Sequence, residues 1–302
     1  MTLLRRLSTF LMMMALLAGS FAIHAQRAGG QPAARPIIFA VLNDGMLIEP
    51  IAHVEKGKLS ETVSGGDETS LIEKFNQTYY GAKNSYRLIF GGANAGTVTV
   101  TGSDSGMDCG PNLARVKTVT RRTPLKGKVM ALATNAAASK PGSGVRRLPT
   151  WPERNDIDAL VRAEFARHSV EVKKLDYHNL TALDVDNDKR AELVGSFWAE
   201  NDPLSRTLLF FIAERGADGK LELNHTDLRT IKEDEVMSGD ITALDEGVYH
   251  ELLLDVFDYD GDGVSEIFTY VQAFEGSGFN VYKRMAGKWT KVFEGSNYHC
   301  GF

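Results

Sequence analysis

Short apolar runs separated by turn residues fill the first half of the chain. Between residues 37 and 134 they read PIIFAVL, MLIEPIAHV, YRLIFGG, GTVTVTG, ARVKTVT and KVMALAT. Runs of this length, continuous or alternating, are strand patterns, and NDG, GGANAG and LKGK supply the turns between them. One helical period interrupts, ETSLIEKFNQTYY, with Leu71, Ile72, Phe75 and Tyr79 on one face. The pattern predicts a small antiparallel β domain with a short helix over 37–134.

Residues 135–150 are rich in Ala, Ser, Gly and Pro and read as a linker. A second region, 151–302, opens on a helix. Pro152 sits at its start, Asn155 or Asp156 is the expected N-cap, and Ile157, Leu160, Val161 and Phe165 follow at helical spacing. After Arg167 the pattern turns to strands and then repeats itself. DVDNDKRAELVGSFWAE with TLLFFIAERGADGKLELN is answered by DYDGDGVSEIFTYVQAF with FNVYKRMAGKWTKVFEG. Asp184 aligns with Asp258, Glu192 with Glu266, and Gly219-Lys220 with Gly287-Lys288. The approaches Tyr177-His178-Asn179-Leu180 and Tyr249-His250-Glu251-Leu252 are also alike, offset by two residues.

Each repeat carries an acidic loop. Aspartates at alternate positions of a tight turn can point at one centre, and calcium takes six to eight oxygen ligands. The first loop offers Asp184, Asp186, Asp188, the Arg190 carbonyl and Glu192. The second offers Asp258, Asp260, Asp262, the Val264 carbonyl and Glu266. An EF-hand needs a bidentate Glu at position 12 and flanking helices; position 12 here is Gly195 or Thr269, and the flanks ELVGSFW and EIFTYVQ are strand patterns. With the last carboxylate at position 9 and an apolar strand after it, the loops resemble those of FG-GAP and VCBS repeats, the calcium-loop blades of integrin-like β-propellers. The resemblance covers residues 177–296. It is closer in the second loop, which has Gly261 and Gly263, than in the first, which has Asn187 and Lys189. A left-handed backbone at position 6 suits Gly and strains Lys. The resemblance implies structural calcium, a propeller-like region preceded by one helix, and binding of a protein or glycan ligand. A full propeller needs about four or more blades. Only two copies are legible, so the region is either a propeller with degenerate blades or a smaller β assembly.

The N-terminal 25 residues stand apart. Arg5 and Arg6 precede the apolar run FLMMMALLAGSFAI, with small residues at Ala22 and Ala25 as cleavage points. This is the layout of a secretory signal peptide, followed by a flexible leader over 26–36 and implying a secreted or periplasmic protein. Without the two arginines the formal net charge moves from −5 to −7, and no Lys/Arg-rich block is present, so nucleic acid is not an expected partner. No later run is long and apolar enough to span a membrane. The two cysteines, Cys109 and Cys300, are expected to pair in an oxidising compartment.

Catalytic signatures are thin. LLLDVFDYDGDGV resembles the nucleophile strand of haloacid-dehalogenase-type phosphatases, but Asp262 stands where that motif has Thr or Val, and the 40 residues that follow read as β. Asp104-Ser105-Gly106 with His53 and Asp67 upstream spans too few residues for a two-barrel serine protease, and a G-x-S-x-G elbow is absent. None of the seven histidines has metal spacing. The sequence therefore favours an exported, mainly β, calcium-binding protein with a binding or structural role over its alternative, a secreted hydrolase using calcium only for stability.

Overall fold

In the computed structural model, which describes residues 34–121, 125–127, 129–138 and 142–300, the first apolar run forms β1 (Ile37–Leu42) and is buried along its whole length. Its alternate side chains serve two cores. Ile37, Phe39 and Val41 point into one cluster, Ile38, Ala40 and Leu42 into another. A strand covered on both faces has no polar side to show, which is why its sequence lacks alternation. The expected signal segment 1–25 and the leader up to residue 33 lie outside the described residues.

The remaining runs of the first half are also strands: β2 (Leu47–Glu55), the short β3 (Lys58–Ser60), β4 (Ser85–Phe90), β5 (Ala93–Ser103), β6 (Ala114–Thr120) and β7 (Ala131–Thr134). All pair antiparallel in the order β1-β7-β4-β5-β6-β2, and β2 pairs back onto β1. The ring is a closed six-stranded barrel, with β3 hung on β2. Closure gives each of the six strands a neighbour on both sides. α1 (Thr69–Tyr79) lays Phe75 and Tyr79 on the barrel core, with Tyr80 just beyond its end. Leu71, expected on the same face, is instead 49 % exposed, and Asn76 takes the buried position, donating to the Pro111 carbonyl at 2.8 Å.

The second half is two meanders. After β8 (Arg146–Arg147) and α2 (Trp151–Arg167), the first meander runs β9 (Lys174–Leu183), β10 (Glu192–Asp202), β11 (Ser205–Arg215) and β12 (Leu221–Lys232). A short α3 (Thr242–Glu246) leads to the second: β13 (Glu251–Phe257), β14 (Glu266–Gln272), β15 (Gly276–Met285) and β16 (Lys288–Tyr298). α2 starts earlier than the sequence suggested. Thr150 caps it in a reciprocal capping box with Glu153, so Asn155 and Asp156 lie inside the helix.

Four layers stack through three apolar interfaces. The outer face of the barrel meets Leu252, Leu254, Phe268, Phe279 and Val281 of the second meander. The opposite face of that sheet, with Leu253, Val256, Ile267 and Tyr282, meets Val194, Phe210 and Ile212 of the first. The far face of the first meander carries α2 through Ile157, Val161 and Phe165. The protein is thus mainly β: a closed barrel followed by two facing sheets. Among the described residues no helix is long and apolar enough to cross a membrane.

The C-terminal end is tied to the barrel. Cys109 and Cys300 stand at disulfide distance, with Cα atoms 4.8 Å apart. Beside them the buried Glu49 Oε1 accepts from His299 Nε2 at 2.7 Å, from Asn297 Nδ2 at 2.8 Å and from the Ser277 hydroxyl. The hydrogen bond to Glu49, offset in part by burial, raises the His299 pKa above its usual 6.5. A raised histidine stabilises the fold fully below its unfolded pKa and loses that contribution as pH rises through the folded value. His299→Gln is therefore expected to cost roughly 1 kcal/mol at pH 6, with the gap to the native chain closing by pH 9 in urea titrations. A gap that widens with pH would contradict this assignment.

Candidate metal centre

The two acidic loops occupy the same joint in each meander, between its first and second strands. Three of their internal hydrogen bonds agree atom for atom. The backbone N–H of Val185 donates to Glu192 Oε2 at 3.0 Å, and that of Tyr259 to Glu266 Oε2 at 3.2 Å. Asp188 N donates to Asp186 Oδ1 and Asp262 N to Asp260 Oδ1, both at 3.2 Å. Arg190 N donates to Asp188 Oδ1 at 2.7 Å and Val264 N to Asp262 Oδ1 at 2.9 Å. The position-9 glutamate thus closes each loop by holding its second residue. Ser265 N donates to the Val185 carbonyl at 2.8 Å and so joins one loop to the other.

The backbone explains the glycines. Gly261 (φ 86°) and Gly263 (φ 97°) are left-handed, and so are their counterparts Asn187 (φ 64°) and Lys189 (φ 68°). Asn tolerates this region; Lys at such a φ costs on the order of 1 kcal/mol. In the second loop the N–H groups of Gly261 and Gly263 both donate to the Asp258 carboxylate, at 2.7 and 3.1 Å. In the first loop Asp184 Oδ1 is buried with no partner among the described residues.

Each trio, Asp184/Asp186/Asp188 and Asp258/Asp260/Asp262, brings one oxygen per residue within 4.8 Å of the others. Oxygens bound to one calcium at 2.3–2.6 Å can be at most about 5 Å apart, so both trios are compact enough to share an ion. The first loop borders a recess of about 90 Å³ shared with Glu192 and Glu214. Arg190 and Val264, expected to lend carbonyl oxygens, are placed at position 7 of their loops by the N–H bonds above.

Sequence reasoning missed the basic side chains that reach the loops. Lys283 and Arg284 are neighbours on β15, so their side chains leave opposite faces. Lys283 Nζ lies 2.5 Å from Asp260, 2.6 Å from Asp262 and 3.0 Å from Glu266. Arg284 reaches the other loop, at 2.8 Å from Asp186 and 3.3 Å from Glu192, and also Glu214 at 2.9 Å. Burial pushes the Glu192 carboxyl up to about 7 and the Glu266 carboxyl up to about 8. Burial opposes the charge on Lys283, yet its three carboxylate bonds outweigh that and hold the ammonium above its usual range. In the first loop Arg190 also pairs with its own neighbour Asp188 at 2.9 Å, so two guanidiniums face that acidic set, whereas in the second loop Lys283 faces four carboxyl groups and leaves most of their formal charge unbalanced. Alternation along one strand is the only sequence signal for Lys283 and Arg284.

His178 and His250, paired in sequence as repeat equivalents, are not equivalent in register: Tyr177 is the counterpart of Glu251. The two imidazoles instead touch each other, edge to face, with centroids 4.4 Å apart. No family model, curated protein or solved structure matches the chain.

Proposed function

We propose that this is an exported calcium-binding protein whose two acidic loops pin the strand joints of propeller-like blades of the FG-GAP/VCBS kind, with a structural or ligand-binding role outside the cytoplasm. One observation carries the reading. Two loops at equivalent joints gather three carboxylates each within single-ion distance, and three hydrogen bonds recur in both. The buried Asp184 Oδ1, without a partner among the described residues, supports it at the first loop. Calcium would be held by Asp184, Asp186, Asp188 and Glu192 in one loop and by Asp258, Asp260, Asp262 and Glu266 in the other. It supplies charge that the chain lacks there. Asp258, Asp260, Asp262 and Glu266 outnumber Lys283, and carboxylates this close repel one another. The exported setting is supported by the paired cysteines and by the layout of the first 25 residues.

Thermal and urea unfolding in calcium and in chelator test the proposal. At free calcium tenfold above the dissociation constant, each occupied site adds about 1.4 kcal/mol. Equal stability in both conditions would sink it. Asp260→Ala is expected to remove the second loop's part of the calcium shift.

Lys283 sharpens the test, because its ammonium stands among the same oxygens a divalent ion would use. Lys283→Met is expected to lower stability in chelator by about 1–2 kcal/mol, since three charge-assisted bonds are lost. In calcium the variant should recover most of that loss. A calcium shift no larger than the native one would show that the ammonium and the ion do not compete.

A further inference from the structure

The two meanders are sealed against each other by apolar side chains near the acidic loops, and away from them they part into a cleft of about 420 Å³. Cross-strand rows form its walls. Ser196, Phe210 and Asp227 lie side by side on the first meander, and Glu251, Val271 and Gly278 on the second. A volume of this order suits a small organic ligand.

Glu251 is the informative group. It is 8 % exposed, and its Oε1 accepts three hydrogen bonds, from Thr269 at 2.5 Å, Tyr282 at 2.8 Å and Asn280 at 3.0 Å. Its Oε2 has no partner among the described residues, and no basic side chain there lies within ion-pair distance of it. Buried carboxylates are normally paired. Apart from the loop aspartates Asp184 and Asp258, the comparably buried carboxylates Glu49, Glu153, Glu164, Glu192, Asp255 and Glu266 each have a basic partner. Nearby cations are committed elsewhere. Arg229 donates to the Tyr249 carbonyl, and Lys291 pairs with Glu294 at 3.1 Å. His225 packs between Phe210 and Tyr282, and burial lowers its pKa.

We infer that this cleft binds a small molecule through a primary ammonium group seated on Glu251. An ammonium carries three donors, and the cleft floor offers acceptors for them. These are Glu251 Oε2, the Asn280 side-chain oxygen left over once its amide N–H binds Glu251, and the Ser196 hydroxyl. The Phe210 ring adds a surface that attracts cations, and Asp227 at the rim adds a second negative charge. A hard metal ion fits poorly, since it needs six or more oxygens and Glu251 has one to give. The inference goes beyond the calcium reading and does not depend on either acidic loop.

Calorimetric titration of the full chain with 1,4-diaminobutane and with glucosamine tests it, with 1,4-butanediol and glucose as uncharged counterparts. Saturable binding of at least one amine is expected, at least tenfold tighter than its counterpart, and the better carrier separates a linear from a sugar-borne amine. Glu251→Gln keeps an acceptor for Thr269, Asn280 and Tyr282 but removes the charge, and should weaken the amine at least tenfold. If that variant does not fold, Asp227→Asn at the exposed rim should weaken it at least threefold. An Asp260→Ala background should leave the affinity unchanged. The inference is overturned by no amine binding, by equal binding of the uncharged counterparts, or by binding that survives Glu251→Gln. It is overturned equally by amine binding that disappears with Asp260→Ala, which would place the amine at the acidic loop.

Discussion

Arg146→Met is expected to lower the unfolding free energy by about 3–5 kcal/mol, the usual cost of removing one member of a buried ion pair. The Arg146 side chain is 7 % exposed and Asp255 is fully buried, with Nη1 and Oδ2 at 2.7 Å. The same nitrogen donates to the Leu254 carbonyl at 2.6 Å and the Met130 carbonyl at 2.9 Å, and the guanidinium lies over Phe90 at 4.6 Å. Asp255 also accepts from the N–H groups of Gly91 and Gly92, at 3.1 Å each, and of Val256 at 2.7 Å. One ion pair thus clamps the β4–β5 turn of the barrel, the second meander and the stretch expected as a linker. Methionine preserves much of the packing and deletes the cation. Asp255 then faces burial without its partner, so its pKa rises further and the deficit of the variant should grow with pH. Urea unfolding at pH 5 and pH 8 measures both effects. A loss under 1 kcal/mol, or one that shrinks as pH rises, would mean that the pair is not what joins these layers.

Reducing the Cys109–Cys300 bond is expected to cost about 2–5 kcal/mol. The bond closes a loop of 191 residues, and long loops gain most from closure. It joins the segment between β5 and β6 to the end of the last strand. Other contacts hold the same corner and should keep the reduced chain folded. Gly110 N donates to the His299 carbonyl at 3.2 Å, and the Asn112 and Asn297 amides exchange hydrogen bonds at 2.8 and 3.3 Å. Cys109→Ser should match the reduced native protein and show no response to reductant. If the variant and the oxidised native chain unfold at the same denaturant concentration, the bond contributes nothing and export loses one of its supports.

The strands of both halves were legible wherever a run of four to eight apolar or alternating residues lay between turn signals, as in β1, β5 and β6. The acidic loops were legible for the same reason, because their pattern of alternate aspartates is contiguous. Errors arose where a stronger local signal lay just outside the window. The Thr150–Glu153 capping box starts α2 ahead of Asn155, and buried Asn76 displaces Leu71 from the covered face of α1. The residues missed altogether have partners far away in the chain. Arg146 meets Asp255 across 109 positions, Arg284 meets Asp186 across 98, and Glu49 meets His299 across 250. None belongs to a motif, and no spacing along the chain announces them.

Taken alone, the sequence determined the mainly β character, the repeated acidic loop with its strand flanks, and a cysteine pair available for bonding. These are properties of neighbouring residues and of composition, which backbone periodicity and turn stereochemistry translate directly into structure. The tertiary structure decided the closure of the barrel through β1, the stacking of four layers, the reach of Lys283 and Arg284 into different loops, and the buried carboxylate at the floor of the cleft. Each of these depends on which distant surfaces bury each other. That choice is made by the summed packing of whole faces, and a local pattern records only that such a face exists.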